Sequence, residues 1–370
     1  MIASLVRESS PVMSKKTSPV CSYNEWDPLE EIVVGIMDYA TIPSLHSTVS
    51  VTMPEGFHPL FAQQGGQSFA TVDKELCELA AKELEGLVAL LEKQGVTVRR
   101  PTPWDHQRSY ATPEWTSKGG SYATMPRDSL IVFGEEILEV PMSWRSRYYE
   151  TASMRPLLKE YSRQGARWTS APKPLLSDDL YDENHEANGK PWVLTEHEPV
   201  FDAADMIRCG EDVFIQASHV TNSFGIQWLR KHLEGRFRVH EIAFDDPTAM
   251  HIDVNFLPLC PGKALANPDR VKEVPSAFQD WQIIYAPPST IPDSLTLYMS
   301  SKWVSMNILM LDENTVVAEY HEKPLIELLR REGFDVIPCK FRNFCAFGGS
   351  FHCATLDVRR RGTKQTVVSL

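Results

Sequence analysis

No stretch of this 370-residue chain is long and apolar enough to serve as a membrane helix, for which about 20 consecutive residues are needed. Long basic stripes are also absent, and the formal net charge is −12. Nucleic-acid binding draws on clustered Lys and Arg, so neither a nucleic-acid nor a membrane partner is expected. The seven cysteines stand far apart, at Cys21, Cys77, Cys209, Cys260, Cys339, Cys345 and Cys353, with no Cys-x-x-Cys pair. A structural zinc site or a redox dithiol therefore lacks support, and no metal is expected. The Gly-x-Gly-x-x-Gly fingerprint and the Walker-type phosphate loop are missing too, so no nucleotide or other cofactor is expected.

The odd cysteine count and wide spacing fit free thiols in a reducing compartment. The stretch to about Pro19 is mostly polar, with Arg7, Lys15 and Lys16, and has no hydrophobic signal core. It reads as a disordered tail, residues 1–21, on a cytoplasmic protein. With 42% hydrophobic residues the remainder can bury a large core. Length alone suggests two or three domains, and one large repeat-built domain is equally allowed. An acidic chain suits a small cationic ligand. Its one basic cluster, Arg359–Arg361, has the look of a solvated or ion-paired surface.

The chain repeats one local grammar. Leu76, Leu79, Ala80, Leu84, Leu87, Val88 and Leu91 fall at helical spacing, Gly95 stops them, and Val96-Thr97-Val98 reads as a strand. The same order of helix end, glycine and β-branched strand returns through Gly165, Gly235 and Gly333, with a looser copy in which Asp280 replaces the glycine. Five such units suggest a pseudo-repeat of one supersecondary element, although a doubly wound sheet gives a similar alternation. Residues 40–70, rich in Pro, Ser, Gly and Gln, read as a long surface loop.

Chemistry concentrates in a few places. Gly348-Gly349-Ser350-Phe351-His352-Cys353 sets two glycines before a thiol, as a tight turn presenting a nucleophile requires. A buried structural cysteine is the ordinary alternative. Met250–Phe256 alternates polar and apolar residues, so on a strand His251, Asp253 and Asn255 would share one face. Asp202 and Asp205 stand beside small residues, where Asp202 is either a site carboxylate or a helix N-cap. Asp128, before the strong strand Leu130–Phe133, is either a site residue or a turn former.

Together, Asn24-Glu25-Trp26-Asp27-Pro28-Leu29, Met125-Pro126-Arg127-Asp128, Phe201–Asp205, Met250–Asp253, Met299-Ser300-Ser301-Lys302-Trp303 and Gly349–Cys353 resemble the arginine:glycine amidinotransferase family, from about residue 22 to the C-terminus. The resemblance implies an α/β fold, a five-bladed pseudosymmetric propeller of β-β-α-β units, as a single domain over 22–370. It implies Cys353 as nucleophile, His251 as acid and base, and Asp202 as its carboxylate partner. Asp128 and Asp253 would hold the guanidinium of arginine, Arg270, Ser300 and Ser301 the rest of that donor, and Thr248 and Met250 would also bind substrate. The expected reaction passes the amidino group through a covalent amidino-cysteine to an acceptor amine and releases ornithine.

The partners implied are small-molecule substrates, and a homodimer is the expected assembly. Thr248-Ala249 stands where glycine-using vertebrate enzymes carry Asn-Pro ahead of Met250, the loop after Ser177 is shorter, and a long leader is lacking. These departures point to a bacterial relative making a guanidino toxin, of the saxitoxin type, with an acceptor larger than glycine. The alternatives are glycine as acceptor, a deiminase-like hydrolase giving citrulline, and a non-catalytic binding propeller.

Overall fold

The computed structural model describes residues 18–368, so most of the expected tail lies outside the described residues. Ordered pairing nevertheless starts before residue 22. Val20 is fully buried, and the Cys21 N–H donates to the Val358 carbonyl at 2.9 Å. Among the described residues no helix is long and apolar enough to cross a membrane.

Five three-stranded sheets carry the chain, and each pairs one strand antiparallel and the other parallel to a central strand. In chain order they are centred on Leu29–Val34, Glu136–Glu139, Asp212–Ile215, Lys263–Ala266 and Thr315–Glu319. A tight hairpin makes each antiparallel step inside the last four sheets, whereas a parallel step needs a crossover. Helices Lys74–Lys93, Arg155–Gln164, Ser223–Leu233 and Lys323–Arg331 supply four crossovers, and the single 3-10 turn Ser276–Phe278 lies in the fifth. This is an α/β fold, and its five sheets coincide with the five units seen in the sequence. The sheets stay separate, and none closes on itself. The first takes its antiparallel partner, Thr355–Arg360, from the far end of the chain, which ties the two ends together.

The four helix-ending glycines have φ between +75° and +110°, and a Cβ there would meet nothing within 4 Å. Backbone conformation, not lack of room, is what calls for glycine. The first helix is capped by Asp73, whose carboxylate accepts from the Leu76 N–H at 3.0 Å. It buries Leu76, Ala80, Leu84, Leu87 and Leu91, while Leu79 turns outward, 42% exposed.

Two expectations are corrected. Residues 40–70 are not a surface loop: they form helices Ser47–Thr52 and His58–Gln64 and bury Ile42, Val49, Phe61 and Phe69. Turn-rich composition hid the few apolar anchors that fold this stretch onto the body. Of the three arginines at 359–361, Arg360 is buried, because strand alternation turns it inward. Its guanidinium donates to Asp357 at 2.8 Å and to the carbonyls of Asp27 and Met310.

Arg360 belongs to a buried ionic cluster. Arg208 grips Glu25 at 2.8 and 2.9 Å and Asp357 at 2.9 Å, and Arg127 reaches Asp357 at 2.6 Å and Glu25 at 3.4 Å. Burial opposes ionisation of both acids, yet the arginines, with His352 beside Glu25, hold each well below the usual carboxylate range. Replacing Asp357 with Asn should cost about 3–5 kcal/mol in urea denaturation, because three buried guanidinium groups lose a shared partner. Its folded pKa is depressed, so this stabilisation is complete above the unfolded value near 4 and is lost as the pH falls through the folded one. The gap between wild type and variant should therefore narrow only below about pH 4; a cost under about 1 kcal/mol would contradict the cluster's role.

Candidate active site

One cavity of about 970 Å³ gathers nine of the ten site residues named from the sequence: Asp128, Thr248, Met250, His251, Asp253, Arg270, Ser300, Ser301 and Cys353. The tenth, Asp202, stands behind His251, with Oδ2 3.1 Å from the imidazole Nε2. One wall comes from the stretch Ser50–Glu55 with Phe57, the part of the chain expected to be a surface loop.

Cys353 ends a turn that leaves the 3-10 helix Phe344–Phe347 and enters the strand Thr355–Arg360. Gly348 takes φ +112°, and a Cβ on Gly349 would lie 2.4 Å from the Cys353 Cβ and 2.9 Å from its sulfur. The two glycines are thus needed for different reasons, one for conformation and one for close approach. The sulfur is buried, 3.3 Å from Asp253 Oδ2. Burial pushes the thiol well above its ordinary pKa, and the charges of Asp253 and Asp128 push it further.

His251 corrects the strand reading. Its φ is +74°, and Ile252–Val254 form a 3-10 turn, so the strand begins only at Phe256. The backbone N–H of His251 donates to Asp205 Oδ1 at 2.9 Å, and that carboxylate also accepts from Ser218, Thr221 and Gln216. A carboxylate held by four donors explains how an uncommon conformation persists. Period-two alternation still marked the right side chains, since His251 and Asp253 both face the cavity.

Asp128 sits in the short helix Pro126–Ser129 and ion-pairs with Arg147 at 2.9 Å; Arg147 also clasps Glu150 at 2.5 and 2.6 Å. Asp128 Oδ1 lies 3.7 Å from His251 Nδ1. Burial disfavours the imidazolium, but Asp128, Asp202 and Asp205 outweigh it and raise His251 to about 10. Burial lifts Glu150 to about 7 against the pull of Arg147. Five acids (Asp128, Glu150, Asp202, Asp205 and Asp253) stand around Arg147 and His251, so this part of the site favours a further cation. Asp128, Asp202 and Asp253 each also leave one buried oxygen without a hydrogen-bond partner among the described residues. Asp128, His251 and Cys353 bring side-chain atoms within 4.8 Å of one another, a spacing open to any small cation.

Arg270 lines the opposite part of the cavity, held by Asp246 at 3.1 Å and Asn255 at 3.0 Å. Asp246 also accepts from the Thr248 N–H and hydroxyl, which couples these two walls. Ser300 donates to the Cys345 carbonyl at 2.6 Å, and Ser301 is exposed at the rim. The sequence reading missed Arg147, Glu150, Asn307 and the bridging role of His352, which joins Asp253 at 2.7 Å to Glu25 at 3.3 Å.

No family model matches the chain. It is 50% identical over 351 residues to the L-arginine:L-lysine amidinotransferase of Pseudomonas savastanoi pv. phaseolicola, covering 94% of this chain and 96% of that one. Against the mitochondrial glycine amidinotransferase of Danio rerio the identity is 45% over 372 residues, covering 97% and 87%. The solved structure of SxtG, an amidinotransferase from Microseira wollei in the saxitoxin biosynthetic pathway, superimposes with a TM-score of 0.87 at 46% identity, covering 94% of this chain and 99% of that one.

The His251 imidazole should titrate near 10 in the ligand-free protein, followed by its NMR shift. Its raised value means that the stabilisation from its carboxylate partners is complete below about 6.5 and is lost as the pH rises through the folded value. A midpoint near 6.5 would contradict the geometry described here.

Proposed function

The chain belongs to the amidinotransferase family, and on that premise we propose that it transfers the amidino group of L-arginine to an acceptor amine larger than glycine. The observation that carries this reading is the ring of carboxylates around a buried thiol, with three aspartate oxygens unpartnered. A guanidinium is planar, cationic and rich in N–H donors, and it meets carboxylates in pairs. Asp128 and Asp253 would hold it, while Arg270, Ser300 and Ser301 receive the α-carboxylate and amine of the donor. Residues 22–370 would act as one domain, its five sheets arranged as the blades of a propeller.

The Cys353 thiolate attacks the guanidino carbon and forms a C–S bond. The bond from that carbon to the side-chain nitrogen of the departing ornithine breaks, and His251 gives that nitrogen a proton. An amidino-cysteine remains. The acceptor amine then attacks the same carbon and loses a proton to His251, and the C–S bond breaks to restore the thiolate. Asp202 keeps the imidazole oriented throughout, so that the ring which gave up a proton to ornithine can take one from the acceptor.

The acceptor reading rests on a cavity of about 970 Å³ whose lining, beyond the donor residues, includes Thr248, Met250, His185, His219 and Lys302. The relative named for L-arginine and L-lysine supports an acceptor of that kind, and those named for glycine keep glycine as the alternative. A place in specialised guanidino-metabolite synthesis follows from the likeness to the saxitoxin-pathway structure.

Incubation with labelled arginine and a panel of amines should yield ornithine together with a labelled guanidino product, best with an amine longer than glycine, and none in Cys353→Ala. Citrulline without a guanidino product, read by mass spectrometry, would replace transfer with hydrolysis. The electrostatics give a second outcome. Bound guanidinium cancels the field of Asp128 and Asp253, so an unreactive guanidine should lower the pH at which Cys353 is alkylated. An unchanged or higher midpoint would mean that the donor does not activate its own nucleophile.

A further inference from the structure

We infer that Asn307 is the hydrogen-bond donor that favours the anionic form of the Cys353 sulfur, while the same amide pins the turn that carries it. This rests on the proposed role of Cys353 as nucleophile. Asn307 follows the 3-10 helix Lys302–Met306 and is fully buried. Its Oδ1 accepts two backbone N–H groups, from Ser350 at 2.9 Å and from Cys353 at 3.0 Å. Its Nδ2 lies 3.1 Å from Sγ.

The orientation of this amide is not arbitrary. An amide nitrogen cannot accept, so a flipped side chain would leave two buried N–H groups facing donors. The two backbone donors therefore fix Oδ1 on the turn and oblige Nδ2–H to face the sulfur. Asn307 is the only hydrogen-bond donor to Sγ among the described residues; the sulfur's other partner, Asp253 Oδ2, is an acceptor.

The groups around Sγ come from several elements, and the two carboxylates among them oppose ionisation. Asp253 lies on the 3-10 turn Ile252–Val254 and Asp128 on the helix Pro126–Ser129, and both repel a thiolate. His251 stands close to the sulfur, His352 bonds to Asp253, and Tyr122 adds a buried phenol nearby. A thiol can donate to Asp253, but a thiolate has nothing to donate and needs a donor. Asn307 supplies it, already in place, through the same bond in both states. This bond favours the charged form, in opposition to the aspartates. Asn307 thus touches the reacting atom without exchanging a proton with it.

The test is the pH profile of Cys353 alkylation by iodoacetamide in full-length protein, without arginine or acceptor. Asn307→Ser removes the reach to sulfur without adding charge. Asn307→Asp keeps an oxygen for both backbone N–H groups and puts an anion where the donor was. The midpoint should rise by about one pH unit in Asn307→Ser, about tenfold slower alkylation at a fixed lower pH, and further in Asn307→Asp. A purely structural role would change the plateau rate by exposing the turn and leave the midpoint in place, and that result overturns the proposal. Should one variant fail to fold by circular dichroism, the other decides. Because no substrate is used, a protein that hydrolyses arginine instead of transferring its amidino group would still show the shift.

Discussion

Three arginines share two carboxylates beside the turn that carries Cys353, and the rest of the structure is organised around that cluster. Arg208 comes from the third sheet, Asp357 and Arg360 from the first, Arg127 from the approach to the second, and Glu25 from the N-terminal segment. Arg360 also donates to Met310 of the fifth sheet, and Arg208 to Val132 of the second. Burying so many charges is costly unless each finds a partner, so the cluster fixes how the sheets meet more than it adds net stability. Its link to chemistry is direct: Arg127 Nε donates to the His352 carbonyl at 2.7 Å, one residue before the thiol.

Next to that layer, where cations outnumber carboxylates, lies one with the opposite excess. The cavity holds more carboxylates than cations, and the thiol among them is buried and resists ionisation. Such a site is poorly set to react when empty and well set once a cation enters. In the proposed reaction the thiol would stay protonated until the donor's guanidinium enters. The left-handed backbone at His251 belongs to the same economy of design, since Asp205 anchors the N–H while Asp128 and Asp202 hold the ring as imidazolium.

Much of this was legible in the sequence, for identifiable reasons. The helix-to-strand units announced themselves because each crossover helix ends on a glycine with positive φ, a local requirement that leaves a local mark. Cys353 and Asp202 stood out beside glycines or small residues, His251 and Asp253 through polar–apolar alternation, and Asp128 ahead of a strong strand. Asn307 left no such mark: its bonds span 43 and 46 residues and exist only once the fifth sheet has brought two turns together. Arg147 sits three residues from its partner Glu150, and only burial against Trp144 and Tyr122 reveals its place. Residues 47–64 misled because helices this short are set by tertiary anchors, here Val49 and Phe61, and not by their own periodicity.

The central claim is that the amidino group rests on Cys353 between donor and acceptor. The most direct measurement is intact-protein and peptide mass spectrometry after rapid acid quench of the protein mixed with arginine and no acceptor. The account predicts an adduct of one amidino group on the peptide containing Cys353, formed with one equivalent of ornithine and removed when an acceptor amine is added. Turnover with ornithine released only after the acceptor is present, and no adduct at any time, would mean that the group passes directly between substrates, and would contradict the covalent route.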